Sequence, residues 1–206
     1  SKGSCNGGAG GFTYALAVPS NASDPLYTNW TKPSFNPVLE RTGDDPSTAW
    51  RTPHGEWRMI GNKRCTPAGT NNTRGTTEYG SKDFKAWYEV GCNALRCGDC
   101  PTFFPLPPLT PSAGGSSEAA ADADRHVLGG ALPTHVHKAG QAAGVNDGLE
   151  VGTWVDGTPR TAAANATPGT WTPHVPLYPA GGGSATVALD DPGATHASKD
   201  FWDPVR

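Results

Sequence analysis

Two short segments place carboxylates beside proline turns and aromatic rings. One is Gly43-Asp-Asp-Pro-Ser-Thr-Ala-Trp50, followed by His54-Gly-Glu-Trp-Arg-Met-Ile-Gly61. The other is Cys97-Gly-Asp-Cys-Pro-Thr-Phe-Phe-Pro105. Carboxylates next to aromatic platforms suit a sugar. Its apolar face stacks on a ring, its hydroxyls donate to carboxylates, and one carboxyl group protonates a leaving oxygen. The same Asp residues also suit plain turns, in which the side chain accepts from its own backbone. These two segments alone leave both readings open.

Other candidate groups are weaker. Cys97-Gly-Asp-Cys100 has CxxC spacing but leads into Pro-Thr-Phe-Phe-Pro instead of opening a helix, and no second pair completes a zinc knuckle. His135-Val-His137 on a strand would aim two rings at one face, with no third ligand in sight, so no metal and no cofactor is expected. Of the five cysteines, Cys65 is expected to pair with Cys92 or Cys97. Four N-x-S/T acceptor sites, at Asn21, Asn29, Asn71 and Asn165, point to a secreted (extracellular) or vacuolar glycoprotein.

The elements that must carry these groups are strands. The chain has 206 residues with 27 Gly and 20 Pro, a content that excludes helical bundles and coiled coils. Its 7 Trp, 6 Phe and 5 Tyr argue against disorder. Only 17% of residues are charged and no basic patch stands out, so nucleic acid is not an expected partner. No apolar run approaches the roughly 18 residues that span a bilayer, so no membrane partner is expected either. Short runs of aromatic and β-branched residues recur between turn residues, predicting strands near Phe12–Val18, Glu56–Gly61, Phe84–Val90, Pro101–Leu106, His135–Lys138, Glu150–Val155, Ala185–Leu189 and His196–Phe201. Many short strands without alternating helices indicate an all-β sandwich, barrel or propeller. Residues 107–125 and 157–170, rich in Pro, Gly, Ser, Thr and Ala, read as inserted loops with too little apolar surface to order themselves. Trp50, Trp57, Trp87 and Trp202 are expected in the core.

Taken in order, several segments resemble glycoside hydrolase family 32, the invertases, fructan hydrolases and fructosyltransferases. The resemblance starts at Phe12-Thr-Tyr-Ala-Leu-Ala-Val-Pro-Ser-Asn-Ala-Ser-Asp-Pro-Leu26 and continues through Trp30-Thr-Lys-Pro-Ser-Phe-Asn-Pro-Val-Leu39. Asp45-Pro-Ser-Thr-Ala-Trp50 with Gly55-Glu-Trp-Arg58 is similar to the family's Arg-Asp-Pro segment. Asp83-Phe-Lys-Ala-Trp87 precedes Asp99-Cys-Pro-Thr-Phe-Phe104, which is similar to its Glu-Cys-Pro segment. His135-Val-His-Lys138, Val151-Gly-Thr-Trp154 and Ala197-Ser-Lys-Asp-Phe-Trp-Asp-Pro204 follow in family order.

The resemblance implies that residues 1–206 form part of a five-bladed β-propeller, about three blades, with loop insertions near 107–125 and 157–170. The first blade and the family's C-terminal β-sandwich have no counterpart. It implies retaining hydrolysis or transfer of β-fructosyl units, with sucrose or a fructan oligosaccharide as partner. Asp45 takes the place of the transition-state stabiliser and Asp99 that of the acid/base. Asp44, Cys100 and Asp156 become candidate substrate-binding residues. Three departures stand out. The family's nucleophile segment, Trp-Met-Asn-Asp-Pro-Asn-Gly, has no match, so the chain by itself is expected to be inactive. Asp99 replaces a Glu and is one methylene shorter. Asp44 replaces an Arg, adding like charge beside Asp45, which tends to raise one pKa.

Overall fold

The computed structural model describes residues 12–43, 45–69, 75–93, 95, 99–106, 125–133 and 145–174. The described residues contain twelve strands and no helix, as the all-β reading expects. Eight strands form two four-stranded antiparallel meanders. The first contains β5 (Trp50–Arg51), β6 (Trp57–Cys65), β7 (Gly75–Ser81) and β8 (Trp87–Asn93) in sequence order. The second contains β9 (Asp99–Pro105), β10 (Arg125–Pro133), β11 (Val145–Val155) and β12 (Thr170–Pro173), again in order. Consecutive four-stranded meanders have the form of propeller blades. Ahead of them, β1 (Phe12–Tyr14) pairs with β4 (Leu39–Thr42), and β2 (Val18–Pro19) with β3 (Trp30–Thr31).

Strand β6 shows how the two cores arise. Successive side chains on a strand face opposite ways. Ile60 therefore joins Trp50, Leu95, Phe103, Leu128 and Trp154 in a core shared by both meanders. Met59, one residue earlier, joins Tyr14, Tyr79 and Trp87 on the other face, where Val38, Leu39, Trp57 and Phe84 close the cluster. The first meander is thus covered on both faces. Trp50, Trp57 and Trp87 pack in the cores as expected, whereas Trp202 lies outside the described residues.

Six strands escaped the sequence reading, the short β3, β4, β5 and β12 and the longer β7 and β10. Strand β7, Gly-Thr-Thr-Glu-Tyr-Gly-Ser, has few apolar residues yet is buried at every position. It lies between β6 and β8, and its polar side chains find partners there. Strand β10 carries Gly129-Gly130, a turn signal in sequence, and the ladder to β9 shifts register between Gly129 and Ala131. Glycine here accommodates an irregularity instead of ending the strand. The strands expected at His135–Lys138, Ala185–Leu189 and His196–Phe201 lie outside the described residues.

A disulfide joins Cys65, at the end of β6, to Cys92 on β8. It crosses beside Gly75 of β7, where a Cβ would sit 2.7 Å from Cys92 Sγ and 2.6 Å from the Asn93 carbonyl oxygen. Only glycine leaves room for that crossing. Of the two partners left open for Cys65, the fold selects Cys92.

Candidate active site

Asp45 belongs to a segment clamped onto the far end of β6. A Cβ on Gly43 would lie 2.3 Å from the Lys63 backbone nitrogen, so the chain passes there only as glycine. Pro46 bridges to Gly61. The Ser47 amide donates to the Ile60 carbonyl at 2.7 Å, and the Ile60 amide returns to Ser47 Oγ at 2.9 Å. Between these anchors Asp45 holds a φ of 36°, the left-handed region that non-glycine residues seldom occupy. Such strain persists only where the surroundings over-determine it, and it concentrates at functional sites.

Asp99 opens β9, its backbone opposite Ala131. The two aspartates hold equivalent places, each leading into the first strand of a four-stranded meander. Those first strands meet through Trp50 and Phe103, whose ring centres are 4.9 Å apart. Pro46 sits opposite Gly61, and Gly61 opposite Thr77. At the same end Thr76 Oγ1 donates to the carbonyl of Leu95, four residues before Asp99. The Asp45 segment thus leads into β5, and Asp99 opens β9.

Asp156 lies at the other end of its meander from Asp99. It follows β11, whose opposite end pairs Asp147 with Ala131 and so lies level with Asp99. Its Oδ1 accepts the indole N–H of Trp154 at 2.8 Å and of Trp50 at 3.2 Å. Trp154 and Trp50 are buried in the shared core. Asp156 caps that core through these two bonds. Asp44 lies outside the described residues, and for Cys100 only the backbone, within β9, is described. Asn21, Asn29 and Asn165 are exposed, and Asn71 is outside the described residues. Among the described residues no cluster of three or more His, Cys, Asp or Glu side chains could hold a metal ion. No described helix is long and apolar enough to cross a membrane.

The sequence reading missed a buried charge cluster. Arg58 is enclosed between Glu56, at 2.6 Å, and Glu78, at 2.7 Å. Tyr88 donates its hydroxyl to Glu56 Oε1. Glu78 Oε2 accepts the Gly169 amide at 2.9 Å and the Asn93 side chain at 3.4 Å. Arg58 also donates to the carbonyls of Thr158, at 3.0 Å, and Thr167. These bonds dock residues 157–169 against the first meander. The segment is ordered by hydrogen bonds from a neighbouring sheet, so its lack of apolar surface does not leave it loose. Burial pushes the Glu78 carboxyl above the usual range, opposed by Arg58 and the Gly169 and Asn93 donors. Burial and the bond to Glu56 raise the Tyr88 hydroxyl to about 12. The one hint in sequence is an arginine standing where the pleat of Trp57-Arg-Met-Ile60 demands a buried residue.

No family model matches the chain. Similar proteins are nonetheless consistent in kind. A β-fructofuranosidase, insoluble isoenzyme 4, of Oryza sativa subsp. japonica is 33% identical over 126 residues, covering 55% of this chain and 20% of the relative. A fructan 6-exohydrolase of Triticum aestivum is 34% identical over 128 residues, 55% of this chain and 21% of the relative. An insoluble isoenzyme 1 of Oryza sativa subsp. indica is 29% identical over 197 residues, 93% of this chain and 30% of the relative. Among solved structures, fructan 1-exohydrolase IIa of Cichorium intybus, in complex with 1-kestose, is 27% identical, covering 68% of this chain and 25% of that chain, with a TM-score of 0.42. The chain thus spans between a fifth and a third of the length of these curated relatives. With its ordered Asp-Pro and Asp-Cys-Pro segments, it is similar to the β-fructofuranosidases and fructan exohydrolases, the enzymes of glycoside hydrolase family 32.

Proposed function

We propose that this chain is the central portion of a retaining β-fructofuranosidase-type glycoside hydrolase acting on sucrose or fructans. The observation that supports the reading is that Asp45-Pro46 and Asp99 each precede or open the first strand of a four-stranded meander, and those two strands touch through Trp50 and Phe103. In this reading Asp99 protonates the leaving oxygen and then takes a proton from water. Asp45 accepts hydrogen bonds from fructosyl hydroxyls, and these strengthen in the transition state. Its clamped, strained backbone favours such a task, because a fixed acceptor does not reorganise during reaction. The attacking carboxylate comes from outside the matched segments. The disulfide and the exposed sequons at Asn21, Asn29 and Asn165 support a secreted or vacuolar glycoprotein.

The test is turnover of sucrose and of a short fructan by the full-length protein. Asp99→Asn is expected to lower turnover by about a hundredfold or more, the scale of a lost general acid. Near-normal turnover in that variant removes Asp99 from the mechanism. Fructoside binding without turnover in the unaltered protein would instead favour a non-catalytic carbohydrate-binding protein on the same scaffold. Asp99 in the place of Glu, and Asp44 in the place of Arg, are the features on its side.

A further inference from the structure

Exposed large apolar side chains concentrate in one short stretch. Val18, Leu26, Tyr27, Trp30 and Phe35 all lie in or beside the hairpin formed by β2 and β3. Leu26 is 78% exposed, Trp30 57% and Tyr27 49%. Contiguous exposed apolar surface of this kind marks a place where something binds. Two of the rings are neighbours, with Tyr27 and Trp30 centres 6.3 Å apart and planes tilted by 49°.

The hairpin holds these rings firmly. Asp24 accepts from the Leu26 amide at 3.0 Å, the Thr28 amide at 3.0 Å and the Thr28 hydroxyl at 2.7 Å. The Tyr27 amide donates to the Asp24 carbonyl, and Tyr27 itself sits at a φ of 44°, a strained conformation for an aromatic residue. The Ser20 amide donates to the Asn29 carbonyl at 2.9 Å, and the Ser20 and Thr31 hydroxyls share a 2.7 Å bond. A loop maintained at this cost presents its two rings in advance of any ligand.

The same residues carry a modification signal. Tyr27-Thr-Asn-Trp-Thr31 contains the acceptor Asn29-Trp-Thr31, with one ring two positions before the asparagine and the other directly after it. The Asn29 side chain is exposed, and among the described residues its amide nitrogen donates to the adjacent Thr28 hydroxyl at 3.2 Å. Asn21, the other acceptor in this hairpin, has its side-chain oxygen drawn into a turn by the Ser23 amide at 3.0 Å. The C–H face of a pyranose packs on an aromatic ring as another apolar surface does, and the ring's negative face attracts its C–H dipoles.

We propose that Tyr27 and Trp30 are a built-in stacking platform for the first sugar of an N-linked glycan on Asn29. The chain supplies the occupant covalently, so the platform is filled at any concentration. The glycan then covers apolar surface that would otherwise favour association, and it clamps the β2–β3 hairpin. None of this depends on whether the protein turns over fructosides.

The experiment uses the full-length protein secreted from a glycosylating host. Peptide mass mapping establishes occupancy at Asn29, and hydroxyl-radical footprinting reads the exposure of Tyr27 and Trp30. Both rings are expected to react several-fold faster after enzymatic removal of the glycan, and likewise in Asn29→Gln, with no change in Asn21→Gln. Tyr27→Ala is expected to lower the melting temperature of the glycosylated protein more than that of Asn29→Gln. An unmodified Asn29, ring reactivity indifferent to the glycan, protection that follows Asn21, or an equal Tyr27→Ala effect in both backgrounds overturns the proposal.

Discussion

Replacing Asp156 separates an anchor of the core from a ligand of the substrate. Its Oδ1 takes two indole N–H groups, from Trp154 at 2.8 Å and Trp50 at 3.2 Å. Those tryptophans are 1% and 5% exposed, so neither N–H can turn to water if its acceptor disappears. A buried donor left unsatisfied costs about 1–3 kcal/mol, which places Asp156→Ala at about 2–6 kcal/mol of lost stability. Asp156→Asn keeps a carbonyl oxygen in place and forfeits only the charge assistance, about 1 kcal/mol for each bond. In a Trp50→Phe background one of the two donors is already gone, so the alanine substitution there is expected to cost about half as much. Urea denaturation of the full-length protein, followed by tryptophan emission, reads all four variants. A loss below about 1 kcal/mol for Asp156→Ala would refute the reasoning. So would equal losses for the alanine and asparagine variants. A pure substrate ligand would show the reverse pattern, with stability untouched and the Michaelis constant raised.

Further predictions concern the cross-link and the buried charges. The Cys65–Cys92 bond spans 27 residues, and the chain-entropy relation gives about 3.5 kcal/mol for closing a loop of that size. Cys65→Ala with Cys92→Ala is expected to lose stability on that scale in denaturant titration, and an unchanged midpoint would show that the unfolded chain is not constrained by the bond. Arg58→Met leaves Glu56 and Glu78 buried without their cation, at a cost of about 3–5 kcal/mol. Its exchange signature is early loss of protection at the Gly169 amide, which is bonded to Glu78, and continued protection there would count against the docking role of the cluster. The pH dependence of stability has a definite sign at Glu78. Because its folded-state pKa lies above that of an ordinary glutamate, the folded protein binds more protons than the unfolded chain between the two values. The Glu78 contribution therefore falls as pH rises from the ordinary value through the folded pKa. Subtracting the unfolding free energies of Glu78→Gln from those of the unaltered protein across this range isolates the slope, and a flat or rising difference contradicts it.

Much of this molecule is legible along its sequence because the signals are local. Aromatic and β-branched runs between Gly, Pro and Asp residues determine the all-β class, since each run needs only its own alternation and its own turns. The carboxylates of Asp45-Pro46 and Asp99-Cys-Pro101 stand out for the same reason, as polar groups placed just ahead of apolar strands. The four glycosylation signals are local too.

What the tertiary structure decides is non-local. Strand β7 hides in a polar-looking segment because Thr77, Glu78 and Ser81 find hydrogen-bond partners on other elements, and burial follows from partners instead of composition. Arg58 becomes a buried tie between sheets because Thr158 and Thr167, a hundred or more residues further on, lay their carbonyls against it. Cys65 meets Cys92, not Cys97, because β7 brings β6 and β8 within one disulfide's reach. Asp156 looks in sequence like a ligand for a sugar, yet strand direction carries it to the opposite end of its meander from Asp99. Each strand reverses the last, so whether two carboxylates share a rim depends on how many reversals separate them. A sequence displays the residues, and the meander counts the reversals.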